Sequence, residues 1–178
     1  MKTIKHSIYT GLIALSLVFA GCSSDDDGGD GGNAALGTIT AKVDGTTVTT
    51  LEMVTFATLT TVSGASHLQI QGNTGGTTSK AFVLQIGGVD GTGTYQIDGS
   101  SNLTIVGIYS EITVDPANPT NVETNEWYAP HDTSVAGEIN ISELSDTKVA
   151  GTFFFTGKNV NGDNSTKEIT EGSFNIEF

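Results

Sequence analysis

The chain has 178 residues, 20 acidic and 7 basic side chains, and a formal net charge of -13. That length accommodates one ordinary domain. Every basic residue is a lysine, so the charge balance leaves nucleic-acid phosphates without a counterpart and excludes a nucleic-acid partner. Few residues are charged (15%) against 37% hydrophobic and 23 glycines, a mixture that favours half-buried strands over helices.

In chain order, Lys2 and Lys5 precede an apolar run from Ile8 to Ala20, interrupted only by Tyr9, Thr10, Gly11 and Ser16. This is the charge and length pattern of a secretory leader, and the run is too short to span a bilayer comfortably. It ends in Phe19-Ala20-Gly21-Cys22. Those four residues resemble the lipobox of bacterial lipoproteins, in which small residues precede a cysteine and cleavage falls immediately before it; Phe19 stands where leucine is usual. The resemblance implies a leader over residues 1–21 and a Cys22 carrying a diacylglyceryl group on sulfur and a further acyl chain, such as palmitate, on its new amino terminus. Two such lipid signals are what stable anchoring requires. Cys22 is also the single cysteine, so no intramolecular disulfide can form.

Ser23, Ser24, Asp25, Asp26 and Asp27 follow, then Gly28 to Asn33 with no apolar residue. A segment of this composition cannot bury enough surface to fold, and residues 22–35 read as a flexible acidic tether. An acidic stretch directly after the lipid-bearing cysteine resembles the surface-export signal of lipoproteins in the Bacteroidota, which implies an outer-membrane protein displayed on the cell's outer face. Cleavage before Cys22 removes two lysines and no acid, so the mature charge becomes 5 minus 20, or -15.

Residues 36–178 form one predicted β-domain with an apolar period of two. Ile39, Ala41 and Val43 alternate with Thr38, Thr40 and Lys42, and Asp44-Gly45 before Thr46 to Thr50 is a strong hairpin signal. A third strand is expected through Val54 and Phe56, then a turn at Ser63-Gly64 and a strand carrying Leu68 and Ile70. Gly72 to Gly76 reads as a loop, Phe82, Leu84 and Ile86 as the next strand, Gly87 to Gly91 as a turn, and Tyr95 and Ile97 as a short strand. Leu103 to Val114 is apolar on both faces, as a central strand buried on both sides would be. Residues 115–133 read as the longest loop, and Val135, Ile139 and Ile141 define a strand after it. Val149, Gly151, Phe153 and Phe155 share one face of a strand, a polar turn covers Asn159 to Thr166, and Phe174, Ile176 and Phe178 share one face of the last strand, antiparallel to it.

About ten short strands with regular turn signals predict an all-β fold, an antiparallel β-sandwich or alternatively an open calycin-like β-barrel. The opening Ala41-Lys42-Val43-Asp44-Gly45 and the closing Gly151 to Phe155 and Gly172 to Ile176 segments resemble a family of small, uncharacterised Bacteroidota lipoprotein domains, in which tryptophan is common where Val48 stands. That resemblance implies location and fold and brings no activity with it.

No Gly-x-Ser-x-Gly elbow occurs, and His67 and His131 have neither cysteine partners nor a metal-ligand spacing. The glycine-rich turns lack the Gly-Lys-Ser/Thr ending of a phosphate cradle. Loop carboxylates set no fixed spacing for glycoside hydrolysis, and no ice-binder repeat links the Thr-x-Thr pairs. The turn Asn159 to Asn164 lacks the bidentate glutamate of a calcium loop, with Thr170 at that place. The one segment with ligand character is 115–132: Asp115, Asn118, Asn121, Glu123 and Glu126 place oxygen donors beside Trp127 and Tyr128, suited to calcium or to sugar stacking. The opposing reading has Trp127 plugging one end of the core.

The expectation is therefore a lipid-anchored, non-enzymatic binding or envelope-accessory module with no catalytic residues, resident metal or required cofactor, whose partner is a glycan or an envelope protein. A carbohydrate-active or carbohydrate-binding protein using the 115–132 segment and a purely structural envelope protein are the alternatives.

Overall fold

A computed structural model describes residues 34–101 and 104–178. The expected leader, Cys22, Ser23 to Asp27, most of the tether, and Leu103 lie outside the described residues. Within them the chain forms β1 (Thr38–Val43), β2 (Thr46–Thr49), a single 3-10 turn (Glu52–Val54), β3 (Phe56–Val62), β4 (Ala65–Asn73), β5 (Thr78–Gly87), β6 (Gly93–Asp98), β7 (Ile105–Asp115), β8 (Asn118–Ala129), β9 (Val135–Leu144), β10 (Lys148–Lys158) and β11 (Thr166–Glu177). No helix among the described residues is long and apolar enough to cross a membrane.

All the ladders are antiparallel and follow two paths, β2-β1-β11-β10-β9-β6 and β3-β4-β5-β7-β8, joined where Lys158 of β10 pairs with Tyr128 of β8. The ladder ends at β2 and β3 without closing, so the fold is sandwich-like and not a closed barrel. The paths face each other across one core: Phe82 of β5 meets Phe153 of β10 with ring centroids 5.9 Å apart, and Phe174 of β11 stacks 6.3 Å from Phe153. The alternation that the sequence carries is what sorts the side chains, since one parity of each strand enters the core. Ile39, Ala41, Val43, Leu68, Ile70, Phe82, Leu84 and Ile86 are all buried.

Several boundaries differ from the sequence expectation, each for a local reason. Val54 lies in the 3-10 turn that carries the chain from β2 to β3, and Gly72 and Asn73 still belong to β4. The tether ends earlier than residue 35: Ala34 is buried, and its carbonyl accepts the Asn175 side-chain amide at 3.2 Å. β7 is covered on one face only, with Ile105 and Tyr109 buried while Val106 and Ile108 stay half-buried, because no second layer lies over them. Phe178 falls beyond the end of β11 and is 43% exposed, whereas Phe174 and Ile176 are each 1% exposed.

The largest difference is in 115–133. Asn118–Ala129 is strand β8 and not a loop, paired with β7 from Gly107↔Ala129 to Asp115↔Asn118. Its first eight residues, Asn118 to Asn125, are exposed, so no burial period marks them. The ladder with β7, and not a buried face, holds this part of the strand.

Candidate binding site

The β7-β8 hairpin carries the ligand residues that the sequence suggests, Asp115 to Tyr128. It begins at a tight turn in which an Asp115 carboxylate oxygen accepts the Ala117 N–H at 2.8 Å, the local bond that makes aspartate a turn former. Asn118 pairs opposite Asp115, and its side-chain oxygen accepts the Thr120 hydroxyl at 2.7 Å. The register then jumps to Val114↔Val122, leaving Asn121 in a bulge. Glu123 stands opposite Thr113, exposed. Glu126 accepts a short hydrogen bond from the Tyr128 hydroxyl; this bond and partial burial raise the tyrosine's pKa. Trp127, between them in sequence, points the other way and is buried.

These residues therefore do not converge on one ligand. At about 3.3 Å per residue, the strand from Asn118 to Tyr128 extends on the order of 30 Å. Asp115 and Asn118 meet at the tip, Glu126 and Tyr128 meet on the outer face, and Trp127 belongs to the core. Among the described residues, no group of three or more His, Cys, Asp or Glu side chains is arranged to hold a metal ion.

The inward face of the hairpin base is organised around Trp127 and Tyr109, cross-strand partners with ring centroids 5.6 Å apart. The indole N–H donates to the Ser165 hydroxyl at 2.9 Å. Lys167, near the start of β11, places its ammonium 5.4 Å from the centre of the indole ring and 2.8 Å from Asp44 in the β1-β2 turn. The other Asp44 oxygen accepts the Glu168 N–H at 3.0 Å. The Lys167 hydrogen bond, followed by that backbone bond, holds the Asp44 carboxyl below the ordinary range, and Asp44 in turn raises Lys167. Burial, and then the bond its hydroxyl donates to Glu111 at 2.8 Å, push Tyr109 far above the ordinary phenol value.

Asp44 thus stays ionised and Lys167 protonated across neutral pH, which holds a cation over the indole face. Trp127 is only 6% exposed, with the Lys167 ammonium and the Tyr109 ring both against its indole. This cluster closes one end of the core and fixes a pattern of charges around it. Sequence spacing carried no signal for it, because Asp44 and Lys167 are 123 residues apart; Asp44 was legible only as a turn residue.

An open-ladder antiparallel β-sandwich with a projecting, polar β-hairpin defines the general class. The model of a family described as a domain of unknown function, DUF6252, matches residues 37–176, and the chain belongs to that family. No curated protein and no solved structure gives a significant match.

Proposed function

We propose that this chain is a lipid-anchored, non-enzymatic binding or envelope-accessory module held at the outer membrane of a Gram-negative bacterium of the Bacteroidota and displayed on the cell surface. The observation that carries this reading is the single cysteine, Cys22, directly after Ala20-Gly21 at the end of an apolar run headed by two lysines. The acid run Asp25 to Asp27 supports the outer face. A binding role in preference to catalysis is supported by how the ionisable groups at the core end are engaged: Asp44 with Lys167, Glu111 with Tyr109, and neither Asp44 nor Lys167 shifted toward neutrality, where a proton-transfer group works best. The membrane is the first partner through the anchor, and a glycan or an envelope protein is the second. The excess of acid speaks against nucleic acid.

Metabolic labelling with an alkyne analogue of palmitate tests the anchor. The wild-type chain is expected to take up label and to fractionate with membranes, and Cys22→Ala to lose both. Equal labelling of the two chains, or a wild-type chain without label, contradicts the proposal.

A further inference from the structure

A second site lies away from the hairpin, on the outer face of β3, β4 and β5. Thr58, Gln69 and Gln85 form one cross-strand row, and Thr60, His67 and Gly87 form the next. Together with Thr104 they line an open groove of about 450 Å³, within the usual range of small-ligand sites. Gly87 makes the room: a Cβ there would come to 3.2 Å of the Thr104 carbonyl oxygen and 3.4 Å of the His67 ring.

The lining is threonine, glutamine and glycine with the imidazole of His67, over the apolar Leu68 and Ile86. In a chain with 20 acidic residues, the two strands Phe56–Val62 and Ala65–Asn73 contain no Asp, Glu or Lys. No Asp, Glu or Lys lines the groove, His67 being its one ionisable side chain, and the acid elsewhere repels anions. The groove's side chains instead supply both donors and acceptors. Gln69 donates its amide to Gln71 at 2.7 Å, and its own carbonyl oxygen keeps its capacity to accept. The amide of Gln85 and the hydroxyls of Thr58 and Thr60 form no intramolecular hydrogen bond among the described residues, so their capacity is available to a ligand. Phe56, 47% exposed, lies on the same outer parity of β3 as Thr58 and Thr60, one row beyond the groove and opposite Gln71.

We infer that this groove binds a neutral, polyhydroxylated ligand, a sugar unit of an uncharged glycan. The inference rests on the reading of the chain as a binding module, and it moves the glycan contact from the 115–132 segment to the β3-β4-β5 face. The test uses the full chain and an array of neutral, sialylated and sulfated glycans, with Gln85→Leu, which keeps the side-chain volume and removes the amide, and Thr60→Val on the exposed edge strand as a second variant. Wild type is expected to retain neutral glycans, and each variant to bind them about tenfold more weakly, with an unchanged thermal midpoint. Should one variant fail to fold, the other decides. Neutral-glycan binding that survives both variants overturns the groove and leaves the binding-module reading in place. Retention of charged glycans alone, or of none, overturns the inference, while palmitate labelling tests the anchor independently of all these outcomes.

Discussion

Removal of residues 172–178 is expected to abolish cooperative unfolding. β11 lies between β1 and β10, and the deleted segment supplies the register Thr38↔Asn175 and Ile39↔Phe174 on one side and Val149↔Ile176 and Gly151↔Phe174 on the other. Phe174 and Ile176 are each 1% exposed; burying a side chain of that size contributes roughly 1.5–3 kcal/mol, against a net stability of about 5–15 kcal/mol for a domain. The truncation also uncovers two strand edges, which are templates for aggregation. Near-ultraviolet circular dichroism on heating should show a sigmoidal transition for the full chain and none for the shortened one. A shortened chain with the wild-type midpoint would contradict this account of the core.

Gly137→Val is expected to be nearly as damaging. Gly137 in β9 stands opposite Phe155 of β10 and Ile97 of β6. A Cβ at this position would lie 2.1 Å from the Phe154 carbonyl oxygen and 2.6 Å from the Phe155 Cα. These are backbone atoms, so the strands themselves must separate, and overpacking of this kind costs about 3 kcal/mol. The thermal midpoint should fall by on the order of 10 °C, whereas Val135→Ala, at an exposed position of the same strand, should leave it unchanged. Equal midpoints for wild type and Gly137→Val would show that β9 and β10 are not packed as described.

The parts of the fold legible in the sequence are those where burial writes a period of two. Ile39, Ala41 and Val43, the Asp44-Gly45 turn, and the pairing of Val149, Gly151 and Phe153 with the last strand all follow from alternation and turn chemistry, and the structure has them in those places. β8 was illegible because its outer two-thirds is exposed; Asn118, Pro119 and Asn121 have the composition of a loop, and what makes them a strand is the neighbouring β7. Gly137 was illegible for the opposite reason, since the crowding that requires glycine comes from β10, which a single strand's pattern does not contain. Ser173 alternates outward as expected yet is 2% exposed, because its register partners Thr40 and Thr152 flank it on either side.

The candidate site divides in the same way. The turn that sets Asp115 opposite Asn118 was hidden inside a segment with the composition of one long loop, and the buried Trp127 was one of the two readings that an isolated tryptophan allows. The Lys167 ammonium over its ring, the Asp44 carboxylate that holds that lysine, and the neutral groove at Gln69 and Gln85 arise from strands brought together by the topology. Their residues are ordinary threonines, glutamines and lysines whose spacing in the chain follows no motif.

The proposed display of this domain outside the cell is tested by labelling intact cells with a membrane-impermeant, amine-reactive biotin. Lys42 and Lys148 are accessible to such a reagent, with side chains 39% and 31% exposed. The predicted result is biotinylation of the wild-type chain in intact cells whose periplasmic proteins remain unlabelled, with loss of that labelling when Asp25, Asp26 and Asp27 are replaced by alanine. Labelling of the wild-type chain only after the outer membrane has been permeabilised would contradict it.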